Sequence, residues 1–269
     1  MYRPDLRSPH QFRLLEAKTG FLPGSNGSAR IRMTDGGECI VSVKSKVVQR
    51  AQESNLIEVD VDISGLRDDS NLVTNIKYNL TTLLLQSFPF KCLHLTSRYS
   101  YKLYIDCIVI SHASYPVTLV SLTTYLALKT TRLPLLVSET NDQDIEELPT
   151  FSDDWDDSKL LAHMSDIQFR PPILITIGVV GSNILLDPST EEEQVLDNAI
   201  IAGFADDAVT TPIINMNLAY NSNNTQFKGL DNKAITESIA LCNKYCGALF
   251  KALDDLIDQD EDDIDGSIF

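Results

Sequence analysis

The chain has 269 residues, a length that fits one large domain or two small ones and can bury a substantial core. Its hydrophobic share of 43% and charged share of 22% are ordinary for a globular protein, and no run of about 18 apolar residues predicts a membrane span. The formal net charge of −16 argues against a protein that binds nucleic acid through its overall charge, because such a surface repels polyanions.

The charge is unevenly distributed along the chain. Residues 1–50 hold nine Lys and Arg against four Asp and Glu, residues 51–136 hold seven of each, and residues 137–269 hold six basic and 27 acidic groups. Any contact with a nucleic acid is therefore expected from the basic N-terminal half or from partner proteins. The first residues contain no apolar segment typical of secretory signals, so we expect the five cysteines to be reduced.

The sequence of the first half predicts strands that are followed by helices. Turn signals and apolar periodicity divide it into four strands and two helices. The predicted strands cover Ile31–Met33, Glu38–Val48, Ile57–Ile63 and Tyr99–Ile110, and the predicted helices cover Ser70–Ser87 and Val117–Lys129. The last of these strands is so rich in apolar and β-branched residues that we expect both of its faces to be buried.

The second half repeats the order of strands before a helix. After an acidic linker or long loop over residues 137–170, the pattern predicts four short strands and one long helix. The strands cover Ile173–Val180, Ile184–Asp187, Ala199–Phe204 and Val209–Ile214, the helix covers residues 231–257, and an acidic tail over residues 258–269 is expected to be disordered. The fold class is therefore α+β, with two related β-then-α units over residues 1–136 and 171–257.

Few residues carry recognisable chemistry. The common nucleotide-loop, zinc-protease and serine-hydrolase motifs are absent, and Gly24–Ser28 lacks the lysine of a phosphate loop. Cys242 and Cys246 lie in the apolar stripe of the long helix, which favours core packing over metal binding. We predict no cofactor and no metal site.

Several acidic residues cluster directly after a predicted strand. Asp187, Glu191, Glu192 and Glu193 follow a predicted strand, and Asp197 lies just beyond them. Clustered carboxylates at a strand end can hold a divalent metal or act as general acid and base. A solvated acidic turn explains the same spacing, and the pattern alone leaves both interpretations open.

Four segments occur in a characteristic order. They are Arg3-Pro4-Asp5-x-Arg7, then Gly24 to Arg30, then Asp106 in an apolar strand, then Leu186-Asp187-Pro188-Ser189-Thr190-Glu191-Glu192-Glu193. Together they resemble the RNase PH-like subunits of the eukaryotic RNA exosome ring. The resemblance implies two β-α units of the ribosomal-protein-S5-like kind, arranged as a pseudo-symmetric pair.

The resemblance also implies partners and a location. Such a subunit would sit in a hexameric ring with five other RNase PH-like subunits and RNA in the central channel. Cap proteins with S1 or KH domains and a separate RNase II-type nuclease would complete the assembly. The implied function is 3′-to-5′ RNA processing and mRNA decay, in the nucleus, including the nucleolus, and in the cytoplasm.

The resemblance further implies how an active relative works, and this chain departs from it. In active relatives, phosphate attacks the 3′ end of RNA and is held at a Gly-Gly-Thr-Arg turn by an arginine and backbone N–H groups. The matching positions here are Ser114 to Val117. Val117 replaces the arginine, and Pro116 has no backbone N–H to donate.

The acidic motif and the N-terminal motif depart from the active pattern as well. Active relatives carry a second Asp six residues after the last acid of their Glu-Glu-Asp motif, whereas Ala199 lies six residues after Glu193 and Asp197 only four. Leu6 replaces the usual Gly of the N-terminal motif. We therefore expect a non-catalytic subunit in which Glu193, Asp197 and Val117 are remnants of a catalytic site.

The RNA contacts implied by the resemblance are few. Lys77 is the one cation on the helix that faces the channel in relatives, and Arg67 and Arg98 are further candidates. Two alternatives remain open. One is a residual metal-dependent or phosphorolytic 3′–5′ exoribonuclease that uses the acidic cluster, and the other is a scaffold for a proteolytic or ribosomal complex.

Overall fold

The structure, a computed structural model, describes residues 3–137, 149–164, 169–216 and 229–266. Its larger sheet has five strands in the spatial order β1-β2-β3-β5-β4. These strands are β1 (Leu15–Thr19), β2 (Gly27–Met33), β3 (Glu38–Gln49), β4 (Ile57–Ile63) and β5 (Tyr99–Ser111). Neighbouring strands are antiparallel except for β4 and β5, which pair in parallel because a helix connects them.

The second half of the chain forms a four-stranded antiparallel sheet in the order β11-β10-β8-β9. Its strands are β8 (Ile173–Val180), β9 (Asn183–Leu186), β10 (Asn198–Ala205) and β11 (Ala208–Met216), and a separate small pair joins β6 (Arg132–Leu133) to β7 (Lys159–Leu160). The helices are α1 (Asn71–Ser87), α2 (Val117–Lys129), α3 (Thr190–Glu193) and α4 (Asn232–Gly266).

Helix α2 lies between the two sheets and organises the core. Every residue from Val117 to Leu128 is buried, since one side of the helix packs on β2 and β3 and the other on β8. A helix that is apolar on all sides requires such a two-sided environment. The Oγ atoms of Thr118 and Ser121 accept the N–H groups of Thr176 and Leu174 at 3.1 and 2.6 Å, which fixes α2 against β8.

The predicted fold class is confirmed: the chain is α+β, and each sheet is followed by helices that cover one of its faces. The prediction that β5 is buried on both faces is wrong. Ile108 and Ile110 are 45% and 43% exposed because the helices cover only one face of the five-stranded sheet. The predicted unit boundaries at residues 136 and 171 stay a prediction, since both halves share one hydrophobic core.

Two predicted segments differ in their bounds from the structure. Helix α4 continues past its predicted end at residue 257 to Gly266, and the carboxylate of Asp260 accepts the backbone N–H of Thr19 on β1. Within the predicted linker, residues 149–164 are ordered against the rest of the molecule: β7 pairs with β6, and Leu161 is fully buried. In the part of the chain that is described, no helix is long and apolar enough to cross a membrane.

Candidate functional site

The N-terminal motif and the acidic motif, which are far apart in sequence, meet in the structure. The guanidinium of Arg3 is buried and donates from Nε and Nη2 to the two carboxylate oxygens of Glu192 at 2.8 and 2.6 Å. Its Nη1 and Nη2 also donate to the backbone carbonyls of Leu186 and Asp187, at 3.0 and 2.9 Å. This two-pronged geometry is the strong form of an arginine–carboxylate pair, so Glu192 anchors the N-terminal segment.

A second buried arginine lies beside the turn that precedes α2. Arg13 donates from Nε and Nη2 to the carboxylate of Asp187 at 2.9 and 2.6 Å, and from Nη1 to Asp35 and to Oγ of Ser114. Burial by itself lowers the pKa of Arg13, but the hydrogen bonds and charge of Asp187 outweigh it and raise the pKa. All three nitrogens of the guanidinium therefore already have acceptors within the chain.

The turn at the start of α2 is occupied by a side chain of the protein. The backbone N–H of Tyr115 donates to both carboxylate oxygens of Glu193, at 2.8 and 3.1 Å. Pro116, the residue immediately before α2, has no N–H, and Val117 is fully buried in the core. The structure thus brings two predicted site residues, Val117 and Glu193, to the same turn.

The electrostatics of this turn disfavour negative charge. Burial is the largest cause that raises the pKa of Glu193 to about 7, and the nearby carboxylates of Asp187 and Asp35 act in the same direction. The Tyr115 N–H and Arg13 oppose these effects without cancelling them. A site built to hold an anion lowers the pKa of a carboxyl group placed in it, and this turn does the reverse.

The other members of the acidic cluster point elsewhere. Asp197 accepts the backbone N–H of Gly181 at 2.6 Å and so closes the turn between β8 and β9. Glu191 is exposed, and Glu192 is paired with Arg3. Across the described ranges, no group of three His, Cys, Asp or Glu side chains is placed to hold a metal ion.

Two of the predicted RNA-binding residues are paired with acidic neighbours. Lys77 on α1 donates to Asp60 of β4 at 2.7 Å, and Arg67 donates to Asp69 at 3.0 Å. All four side chains are largely exposed, so each ion pair is weak. Each cation nevertheless has a carboxylate nearby that partly cancels its attraction for a phosphate.

The third predicted RNA-binding residue lies at the opposite end of the sheet. Arg98 precedes β5 at Tyr99, whereas Arg67 follows the C-terminal end of the parallel strand β4, which lies level with Val109 and so about 33 Å away along the strand direction. Arg98 and Arg50, a residue that sequence reasoning missed, line one open cavity of about 510 Å³. The three predicted residues therefore do not form one site.

The structure explains the residues at two positions of the family motifs, Leu6 and Gly27. Leu6 adopts a φ of 63°, the left-handed conformation that glycine adopts without strain, and it is 87% exposed. In the Gly24–Ser28 segment, Gly27 opens β2 so close to α2 that a Cβ atom would lie 2.3 Å from Oγ1 of Thr131. The segment is thus a packing element rather than a phosphate loop.

Sequence reasoning missed Arg13, Asp35 and the Tyr115 N–H, which complete the geometry of this site. A signal was present for the first two, since Arg13 and Asp35 are charged residues within largely apolar or turn segments of the first 50 residues. Their pairing with Asp187 and Ser114 depends on contacts between distant parts of the chain, which periodicity does not encode.

Comparisons with known proteins agree on one family. The family model described as "3' exoribonuclease family, domain 1" matches residues 11–134. Exosome complex component RRP42 of Saccharomyces cerevisiae is 41% identical over 256 residues, which covers 94% of this chain and 92% of that protein.

Solved structures share the fold. A chain of a structure described as "Archaeal exosome core" has a TM-score of 0.68 and covers 94% of this chain and 91% of its own length. A chain of the Archaeoglobus fulgidus exosome with RNA bound to the active site has the same TM-score and covers 93% and 92%. Both are 18% identical to this chain, so they establish a common architecture and no more.

Proposed function

Since this chain belongs to the RNase PH-like family of exosome components, we propose that it is a non-catalytic subunit of an exosome ring. In this role it supports 3′-to-5′ processing of ribosomal and other nuclear RNAs, and mRNA decay. It does so by helping to form a channel that leads RNA to a separate nuclease. The similarity to RRP42 along almost the whole chain supports membership of the ring, and the geometry of the α2 turn supports the absence of catalysis.

The contact between Glu193 and the Tyr115 N–H is the observation that carries this proposal. Phosphorolysis requires that inorganic phosphate be held at this turn by free backbone donors and a cation. Here a carboxyl group of the chain already accepts the Tyr115 N–H, Pro116 donates nothing, and Val117 is buried. The nearest guanidinium, that of Arg13, is held by Asp187 and Asp35.

The energetic consequence is large. Removal of one preorganised donor from a site that stabilises developing charge costs roughly 3 kcal/mol of activation free energy. This turn lacks both the arginine and a full set of N–H groups. It also raises the pKa of its own carboxyl group, so an entering phosphate dianion would meet an unfavourable potential.

The proposed assembly follows from the family. Five other RNase PH-like subunits complete the ring around RNA, cap proteins with S1 or KH domains cover one face, and an RNase II-type nuclease degrades the RNA. We place this assembly in the nucleus, including the nucleolus, and in the cytoplasm. The acidic second half of the chain would then repel RNA from surfaces outside the channel.

A phosphorolysis assay tests the absence of catalysis. The purified chain, alone and assembled with RNase PH-like subunits, is incubated with RNA and inorganic phosphate, and release of nucleoside diphosphates is measured. We expect no release by the chain alone, and the same rate from rings that carry the wild-type chain or Glu193→Ala. Release that disappears in the Glu193→Ala variant would show that the chain is an enzyme.

Native mass spectrometry of the endogenous complex tests the assembly itself. We expect the chain to be recovered with other RNase PH-like subunits in a complex of ring size. Recovery in a proteolytic or ribosomal complex that lacks such subunits would contradict the proposed function, whatever the phosphorolysis assay shows.

A further inference from the structure

A groove with apolar walls runs along one side of helix α4. It is a cavity of about 530 Å³ between residues 10–15 of the N-terminal segment and residues 245–259 of α4. We call it the α4 groove. Its N-terminal wall contains Leu14, which is 70% exposed, and Leu15, which is partly buried. Apolar side chains therefore face solvent in a concave part of the surface.

Contacts at both ends hold the two walls of the α4 groove in place. At one end the ring of His10 stacks on the ring of Tyr245, with centroids 5.0 Å apart. At the other end the carboxylate of Asp260 accepts the backbone N–H of Thr19 and its hydroxyl, the latter at 2.8 Å. The groove is thus formed by the folded chain itself, so a ligand that enters it does not have to order its walls.

Helix α4 has a second apolar stripe in addition to the one that packs in the core. The core stripe is buried and includes Cys242, Cys246, Phe250 and Leu253. The second stripe lines the groove at intervals of three and four residues: Tyr245, Ala248, Ala252 and Leu256. Such intervals are those at which one helix packs along another, and the two exposed alanines in the middle allow a close approach.

The length of the second stripe fits a helix better than a compact ligand. From Tyr245 to Gln259 the groove extends about 21 Å along α4, because each helical residue adds about 1.5 Å. A helix of about 14 residues that lies along α4 would contact it at every turn with the apolar face of the helix.

The charge around the groove selects among such helices. Asp255 lines the groove and Asp258 lies one turn further along α4, and both are exposed. Residues 258–265 include six acidic residues and no Lys or Arg, whereas the exposed Lys244 lies at the other end of the groove. A helix with Lys or Arg on its flanks is therefore attracted, with its more basic end toward Asp258.

Other occupants fit this chemistry less well. Two stretches outside the described ranges have the required length, and neither is basic: residues 138–148 hold five Asp or Glu and no Lys or Arg, and residues 217–228 hold a single Lys. A second copy of the chain carries the same formal net charge of −16, so two copies repel each other.

We propose that the α4 groove binds an amphipathic helix of a partner protein, with apolar residues at intervals of three and four and with Lys or Arg on its flanks. The inference goes beyond the proposed function, since it depends neither on RNA nor on membership of the ring. It assigns an interaction role to the exposed face of α4 around Ala248 and Ala252.

The test is the affinity of the purified full-length chain for a synthetic helix. The probe is a fluorescein-labelled peptide of about 18 residues, with Leu at the a and d positions of its heptads and Lys or Gln elsewhere. One control peptide has Glu in place of each Lys. The other keeps the composition of the probe in a scrambled order without apolar periodicity. Binding is followed by fluorescence anisotropy.

One substitution tests the apolar stripe. Ala252→Glu places a carboxylate among the apolar side chains of the groove, whereas Ala240→Glu makes the same change at an exposed position of α4 that does not line it. Added negative charge alone would strengthen the binding of a basic peptide, so weaker binding reports the apolar contact. Ala252→Glu should bind about tenfold more weakly than Ala240→Glu, because its charge loses hydration in that contact. Circular dichroism should show that both variants are folded.

A pair of substitutions tests the charge. Asp255→Asn plus Asp258→Asn should weaken binding about threefold and reduce its dependence on salt, because these carboxylates face the flank of the helix. The control is Asp62→Asn plus Asp68→Asn, which makes the same change in charge at exposed positions in and after β4, at the sheet edge opposite β1. The control should change the affinity less than about twofold, because salt screens distant charges.

Several outcomes would overturn the inference. Equal affinity of the Ala252→Glu and Ala240→Glu variants would show that the peptide does not enter the groove. Equal affinity for the basic and the acidic peptide would show that charge does not select the partner. A dimer that sedimentation equilibrium detects and Ala252→Glu dissociates, without binding of the basic peptide, would assign the groove to a second copy of the chain. In each case the proposed ring function would stand, because it does not depend on the groove.

Discussion

Arginines are used in two opposite ways in this molecule. Arg3 and Arg13 are buried, with every guanidinium nitrogen near an acceptor of the chain, and they join the N-terminal segment to the acidic motif. Arg50 and Arg98 are exposed and border an open cavity. The first pair lies inside the fold, whereas the second lies at its surface.

The contrast shows why the amount of charge at a site says little about its function. The region around Arg13 holds several charged groups, yet its cations and carboxylates satisfy one another. Such a region is unable to accept a further ion without losing a buried pair, and removal of one partner leaves a buried charge without compensation.

The largest expected effect comes from breaking the buried network. Arg13→Ala should lower the free energy of unfolding by about 3–5 kcal/mol, because it leaves the buried carboxylate of Asp187 without its bidentate partner. Urea unfolding followed by circular dichroism measures the change.

The matched control is Arg32→Ala, which removes an arginine that is 54% exposed and paired with Glu38. We expect a loss within about 1 kcal/mol, as for other exposed ion pairs. Similar losses for both variants would mean that the Arg13 network does not stabilise the fold more than a surface pair, and the contrast drawn above would fail.

The next effect concerns the carboxyl group at the α2 turn and depends on pH. Because the pKa of Glu193 is raised to about 7 in the folded state from an ordinary value of 4.5, ionisation of this group disfavours folding. The uncharged carboxyl group of Glu193 therefore contributes stability that is fully present below about pH 4.5, and this stability is lost as the pH rises through about 7. Glu193→Gln, which cannot ionise, should therefore be more stable than the wild type at pH 8, by about 2–3 kcal/mol.

Unfolding measured at pH 5 and pH 8 gives the sign of this effect. At pH 5 the Glu193→Gln difference should fall to about 1 kcal/mol or less, and Glu191→Gln, at an exposed neighbouring position, is the matched control. A Glu193→Gln variant that is less stable than the wild type at pH 8 would mean that the turn stabilises negative charge. The argument against phosphate binding would then lose its electrostatic support.

Much of the fold could be predicted from the sequence because its core elements are strongly periodic. Strand β4 and helix α2 occur at the predicted residues, since alternation and continuous apolarity leave few other structures for them. Strand β1 was missed, because Leu15–Thr19 mixes charged and small residues at a sheet edge. The end of α4 was misjudged because its stability depends on a contact between Asp260 and β1 rather than on composition.

The candidate site was predictable only in part. The motifs placed Val117 and Glu193 in one pocket, and the structure brings both to the α2 turn. The contact that occupies the turn involves a backbone N–H, and a backbone donor has no signature in a sequence. The role of Arg13 likewise depends on the packing of the first strand against a motif in the second half of the chain.

The smallest expected effect lies at an exposed position within the N-terminal motif, beside the buried Arg3. Leu6 is in the left-handed region with a φ of 63°, which costs a residue with a Cβ atom about 1 kcal/mol, and its side chain is 87% exposed. Leu6→Gly should therefore raise the free energy of unfolding by roughly 0.5 kcal/mol, after allowance for the greater freedom of glycine in the unfolded chain.

Leu14→Gly is the control, because Leu14 is 70% exposed but is not in the left-handed region, and this variant should lose stability. If both substitutions lowered the midpoint of urea unfolding alike, the leucine would be making contacts that outweigh its backbone strain. In that case, an exposed side chain of this segment would contribute to stability as the buried arginines do, and the contrast between surface and buried positions would fail here.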